Sequence, residues 1–218
     1  RPTLTDSGGY QVFSLASRRK VSEDGVVFRS HLDGRLLSLS AESVVEIQAR
    51  LGSDVSMVFD ECPAWPSTPE EAEASMERTL RWARRGREHF CRVQSGRVPG
   101  VEVSTPGQVQ FGIIQGGTHP QLRDRSVAGT VQVGFDAYAI GGLSVGEPSE
   151  VMYSVAGHTA AQLPTHLPRY LMGAGMPDDL VECVARGIDM FDCVLPTRNA
   201  RNGQLFTRRG PIVIKNAK

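Results

Sequence analysis

Asp189-Met-Phe-Asp-Cys-Val-Leu-Pro-Thr-Arg-Asn-Ala-Arg-Asn-Gly203 is the stretch on which the fold turns. Met190, Phe191, Cys193, Val194 and Leu195 spell a short apolar strand, and Asp192 is set among them. A charge in such company is costly unless it is paired or hydrogen-bonded. Pro196 cannot donate to a ladder, so it is expected to stop the strand. Arg198 and Arg201 follow in what reads as a cationic loop. An acid at a strand's exit is either buried and tied to backbone amides or a working group, and this stretch alone leaves both open.

The pattern recurs upstream. Arg1–Gln11 opens with a short strand, then Asp6 and the turn Ser7-Gly8-Gly9, whose glycines let backbone approach a ligand. Asp54–Asp60 is an apolar strand ending in an acid, with Glu61 and Cys62 after it. Phe111–Gly117 runs into Gln115 and a glycine pair, Ala137–Gly142 ends in another, and Arg169–Gly175 carries Met172. Asp189–Leu195 is the sixth strand. Helices are predicted between them. Ser40 caps one that Gly52 ends, and Thr68-Pro69-Glu70-Glu71 is a capping box opening one to about Phe90. Others cover roughly 120–133, begin at Pro148, and run from Pro177 to Gly187. Residues 26–39 carry a hairpin signal at Asp33-Gly34, residues 91–110 read as a loop, and about 204–214 reads as a basic hairpin.

Alternating strands and helices call for a parallel sheet. The unusual residues stand at the C-terminal end of every strand, which suits the rim of a β/α (TIM-type) barrel. A doubly wound sheet would gather them at one switch point. The expectation is therefore an α/β fold with six of eight barrel strands, two lying upstream of Arg1. Residues 1–218 form one partial catalytic barrel with the hairpin at its end.

Composition sets further limits. Lys plus Arg and Asp plus Glu both number 24, so a nucleic-acid partner must be met by a local patch. After Asp192 come Arg198, Arg201, Arg208, Arg209, Lys215 and Lys218 with no acid among them, a solvated tail if read alone. The face of Arg78, Arg81, Arg84, Arg85 and Arg87 with Glu73, Glu77 and Glu88 is expected to be solvated. Cys62, Cys91, Cys183 and Cys193 are dispersed, with no metal-type pair and no disulfide framework, which fits a reducing cytoplasm. No apolar run reaches membrane length and no signal peptide is visible, so no membrane partner is expected. The start at Arg1, without methionine, hints at a truncated or processed piece.

Two carboxylates facing each other on one rim suit covalent chemistry at an anomeric carbon, one attacking and one handling protons. Asp60 with Gln115 offers acceptors and donors matching a purine edge. Tyr10 and Met172 have the shape to sandwich a flat ring, although core packing is their ordinary fate.

Six stretches together resemble one family. They are Thr5-Asp-Ser-Gly-Gly-Tyr-Gln11, Phe59-Asp-Glu-Cys62, Phe111-Gly-Ile-Ile-Gln-Gly-Gly117, Ala139-Ile-Gly-Gly-Leu-Ser-Val-Gly-Glu147, Tyr170-Leu-Met-Gly173 and Asp189-Met-Phe-Asp-Cys-Val-Leu-Pro-Thr-Arg198. The chain is similar to the queuine tRNA-ribosyltransferases, or tRNA-guanine transglycosylases, over nearly its whole length, least so at 91–110. The resemblance implies exchange of an anticodon guanine in tRNA for a 7-deazaguanine. It implies Asp192 as nucleophile and Asp6 as general acid/base. It implies a base site from Ser7, Gly8, Gly9, Tyr10, Asp60, Cys62, Gln115, Gly142, Leu143, Val145 and Met172. It implies tRNA contact by Gly173, Ala174, Gly175, Met176, Pro177, Asp178 and Asp179, and by Thr197, Arg198, Asn199, Ala200 and Arg201.

Val145 and Phe59–Cys62 resemble the bacterial form, which takes 7-aminomethyl-7-deazaguanine. The resemblance also implies a homodimer as the full-length protein and a structural zinc in a subdomain built on a Cys-x-Cys-x-x-Cys and His pattern. This chain carries no such pattern, so it is expected to be a central piece, without the N-terminal segment and with an open sheet edge. Two other readings stand beside the enzyme. A non-catalytic tRNA-binding subunit is disfavoured by the presence of both Asp6 and Asp192. A barrel glycosidase is disfavoured by the arginine-rich tail.

Overall fold

The computed structural model describes residues 1–9, 19–30 and 32–216. Its centre is a curled, parallel, six-stranded half-barrel sheet in a mixed α/β fold. The strands are β1 (Leu4–Thr5), β5 (Val55–Met57), β6 (Val109–Ile114), β7 (Ala137–Ile140), β8 (Arg169–Leu171) and β9 (Met190–Phe191). They lie side by side in chain order, each parallel to the next. No strand order reverses, so the doubly wound alternative falls. A second, antiparallel sheet is inserted after β1, from β2 (Arg19–Val21), β3 (Val26–Arg29) and β4 (Leu36–Leu39). Asp33-Gly34 lies in the β3–β4 turn, as its composition predicts.

Six helices follow these strands among the described residues: α1 (Ala41–Leu51), α2 (Pro69–Gln94), α3 (Pro120–Val133), α4 (Ser149–Ala160), α5 (Pro177–Val184) and α6 (Leu195–Arg201). Their starts are chemically marked. Ser40 and Ser43 cap α1 reciprocally, and Thr68 and Glu71 do the same for α2 with Pro69 in its first turn. β10 (Gln204–Thr207) and β11 (Gly210–Val213) form the C-terminal hairpin.

The principal core lies between the sheet and its helices, from Met57 and Ile113 through Ile140 to Leu171 and Ile188. All residues of β7 are buried, as expected where a parallel strand is covered on both faces. A smaller cluster of Val26, Ala41, Val44, Phe59 and Trp82 joins the inserted sheet to α1 and α2.

Several expectations are corrected. The helix predicted to stop near Phe90 continues to Gln94, so the first part of the 91–110 loop is helical. The last strand is only Met190–Phe191, and Pro196 starts a helix rather than stopping a strand. Its missing N–H is no loss in a first turn, where that donor has no intrahelical partner. The segment read as a cationic loop is therefore α6. The arginine face of α2 is not simply solvated. Arg81 and Arg78 pair with Glu23, Arg78 also with Glu61, and Arg85 with Glu42 at 2.8 Å. Trp82 Nε1 and Arg85 donate to the Glu23 carbonyl at 2.8 and 2.7 Å. These bonds clamp the β2–β3 turn onto α2.

Candidate active site

Each short strand hands its polar residue to the same end of the sheet. Asp6 and Ser7 follow β1, Asp60 lies beyond β5, Gln115 follows β6, Gly141 and Gly142 follow β7, Met172 and Gly173 follow β8, and Asp192 follows β9.

Asp192 is exposed, which corrects the expectation of a carboxylate enclosed by apolar neighbours. With water at hand its charge needs no internal counter-ion. It is held all the same. The Tyr170 hydroxyl donates to Oδ1 at 2.7 Å and the Gly173 amide to the same oxygen at 2.8 Å. Oδ2 receives no hydrogen bond from a described residue, so one oxygen is anchored and the other is open. Burial, the Asp192 carboxylate and the charge of Asp6 push the Tyr170 phenol far above its usual range, so it stays a donor.

Asp60 is buried, and its Oδ2 accepts from Gln115 Nε2 at 2.7 Å. The Ser7 hydroxyl approaches Oδ1 at 3.4 Å. Burial, with help from Asp6, raises the Asp60 carboxyl to about 7, against the pull of the Gln115 and Ser7 bonds. The charge of Asp6 thus acts on both Asp60 and Tyr170. Asp6 is exposed and accepts from the Ser7 amide at 2.8 Å.

Glycine is required where the backbone meets these side chains. A Cβ on Gly9 would stand 2.4 Å from Asp60 Oδ1, and one on Gly142, at φ 68°, would stand 2.3 Å from Gln115 Oε1. Cys62 is buried, and burial beside Asp60 pushes its thiol up to about 12, so it lines the site without being a nucleophile.

Leu143 is buried, Val145 half-buried, and Met172 half-buried against the main core. Glu147 bonds to the amides of Ser144 and Val145 and thereby ties the 143–147 loop to itself. Ser144, at φ 57°, is the non-glycine residue held in the left-handed region among the described residues. Tyr10 lies outside the described residues.

In the second group Ala174 is buried, and Asp179 accepts from the Tyr153 hydroxyl at 2.7 Å. Gly173 is committed to Asp192, and Gly175 packs so closely on Cys193 that a Cβ would meet its Sγ at 2.5 Å. Gly8 is half-buried beside Ser7, and Met176, Pro177 and Asp178 are exposed at the start of α5. Thr197, Arg198, Asn199, Ala200 and Arg201 all lie on α6, with both arginines exposed in its last turn.

Sequence reasoning did not single out the roles of Tyr170, Ser144 or Ser126, whose hydroxyl accepts from the Gln115 amide at 3.0 Å. Tyr170 stands within a quoted motif, but only the register of β8 against β9 brings it to Asp192. Among the described residues no three His, Cys, Asp or Glu converge as a metal requires. The zinc implied by resemblance has no fitting ligand set here, and no step below uses one.

A family profile described as queuine tRNA-ribosyltransferase matches residues 1–218. The chain belongs to the queuine tRNA-ribosyltransferase family. Among members bearing that name, the one from Shewanella piezotolerans is 54% identical over 218 residues, all of this chain and 55% of its own length. That of Vibrio atlanticus is 55% identical over 217 residues, 100% of this chain and 54% of its own length. That of Dechloromonas aromatica is 55% identical over 218 residues, covering 100% of this chain and 56% of its own length. The chain thus spans about half the length of these queuine tRNA-ribosyltransferase relatives. Among the described residues no helix is long and apolar enough to cross a membrane.

Proposed function

We propose that this chain carries the catalytic rim of a tRNA base-exchange enzyme, in a barrel completed to eight strands in the whole protein. The observation that supports this best is Asp192, exposed at a strand end with one oxygen anchored and the other open, in a chain that matches the family from end to end. Asp192 Oδ2 attacks C1′ of the target nucleoside as the bond to the purine breaks, giving a ribosyl-aspartyl intermediate. The incoming base passes its ring proton to Asp6 and displaces the carboxylate from the sugar. The target nucleotide must leave its stack to reach the rim.

Asp60 accepts from the base's ring N–H and amino groups, and Gln115 and the Gly142 amide serve its carbonyl edge. Ser7, Gly8, Gly9, Cys62, Leu143 and Val145 shape that pocket, with Tyr10 and Met172 on the two ring faces. Val145 fills space that a bulky seven-position substituent would need, so the substrate is 7-aminomethyl-7-deazaguanine and the product lies on the route to queuosine. Exposed residues of 173–179 and 197–201 meet tRNA. Ala174 and Asp179 support those contacts from within. The complete protein is a cytoplasmic homodimer.

The test incubates the complete protein with tRNA and radiolabelled guanine. Incorporation is expected, together with a covalent tRNA adduct that disappears in Asp192→Asn while tRNA affinity holds. Binding without incorporation would make the protein a non-catalytic subunit. An adduct that survives in Asp192→Asn would move the nucleophile elsewhere.

A further inference from the structure

Arg123, on α3, is fully buried at 0% exposure and forms no ion pair among the described residues. Its Nε donates to the Gly117 carbonyl and its Nη1 to the Ile114 carbonyl, each at 2.8 Å. Among the described residues Nη2 has no hydrogen-bond partner, and neither does Gln115 Oε1. Both lie beside Gly142: a Cβ there would stand 3.5 Å from Nη2 and 2.3 Å from Oε1. Enclosing a guanidinium is expensive unless negative charge offsets it. Two carbonyl dipoles offset part. Burial lowers its pKa to about 10, which still leaves it cationic at neutral pH. Glu147 and the Cys62 thiol offset a further part from a distance, without an ion pair among the described residues, so the interior holds a standing positive charge behind the Gln115–Gly142 wall.

We propose that Arg123 stabilises the negative charge that develops on the departing base, acting through the Gln115 end of β6. The inference rests on the base-exchange reading. As Asp192 Oδ2 bonds to C1′, the bond from C1′ to the purine nitrogen breaks and its electron pair goes to the base. That pair delocalises over the ring to the carbonyl oxygen, which faces Gln115 and Gly142. The base anion then takes a proton from Asp6, and the incoming base returns one. A fixed cation one layer behind that oxygen, where water is excluded, favours the charged transition state over the neutral ground state. By bonding to the carbonyls of Ile114 and Gly117, Arg123 also fixes the backbone on both sides of Gln115. It is a positioning residue that does not touch the base.

Exchange is measured in the complete protein for wild type, Arg123→Lys and Arg123→Gln, with thermal melts to confirm folding. Turnover should fall about a hundredfold in Arg123→Gln and about tenfold in Arg123→Lys, as for loss of a charge-stabilising donor. KM for tRNA should stay within roughly twofold. A synthetic anticodon arm with 8-azaguanine at the exchanged position gives the deciding comparison. Its ring N–H is more acidic than guanine's, so less charge needs stabilising, and the deficit of each variant should shrink at least about fivefold. A deficit equal for both leaving bases, a loss confined to KM, or a lysine variant no better than glutamine would overturn the proposal. Where Arg123→Gln fails to fold, Arg123→Lys decides by the same leaving-base comparison. A wild type inactive on both arms would instead sink the base-exchange reading.

Discussion

Asp60 is a residue whose environment alters its chemistry near neutral pH. Its carboxyl, raised to about 7 from 3.8, stays protonated in the folded state at pH values where the unfolded chain has released the proton. Because the folded state binds more protons in that window, the contribution of Asp60 to stability is fully present below about 4 and is lost as pH rises towards 7. Thermal melts from pH 5 to 8 should show this decline in wild type and a flatter profile in Asp60→Asn. Base binding should move the other way, since the donors of a guanine favour the ionised carboxylate. Affinity for the free base is expected to be tighter at pH 8 than at pH 6, and an equal affinity would remove Asp60 from the base site. Val145 supports a second residue-scale expectation. Val145→Gly should improve queuine as a competitor of labelled guanine by about tenfold or more, the scale of a few methyl groups in a packed pocket. No change would reduce Val145 to ordinary packing.

At the scale of elements, α6 is the instructive case. A proline after an apolar run was readable as a strand stop, yet it is equally at home in a helix's first turn, and only the short pairing of β9 with β8 decides between them. Elements with local chemical marks were legible: the Ser40 cap and Gly52 end of α1, the capping box of α2, and the approximate span of α3. The order of the strands was legible too, from the regular alternation. What was not legible depends on contacts distant in sequence, such as the Glu23–Arg78–Glu61 link and the Tyr170–Asp192 bond. Asp192 itself stood out for a reason that proved wrong, its supposed enclosure, while its position at a strand end was read correctly. Because α6 presents Arg198 and Arg201 together, replacing both with alanine should weaken tRNA binding. The slope of log affinity against log salt should become shallower by about two, roughly one for each phosphate contact. Filter-binding titrations at several salt concentrations measure this, and an unchanged slope would assign both arginines to solvent.

For the whole molecule, the hinge of stability is Trp82. It is fully buried, stacks on Phe59 with ring centres 4.9 Å apart, and donates to the Glu23 carbonyl. Through it the inserted antiparallel sheet is joined to α2 and to the strand end that carries Asp60. Trp82→Ala should lower unfolding free energy by about 3–5 kcal/mol, the range for a large aromatic lost from a core. Urea denaturation is the measurement, and a loss below about 1 kcal/mol would mean that the two sheets are stable independently. The burial of cysteines, described above for the site, has a practical consequence for the molecule as an object to be handled. Cys62 and Cys183 are enclosed, with thiol acidities suppressed by burial, and Cys193 is half-covered against Gly175. Cys91 alone among the four is exposed, on the outer end of α2. Within residues 1–218 a maleimide dye added at neutral pH is therefore expected to label Cys91 first, on a helix that braces the rim, which offers a handle for fluorescence.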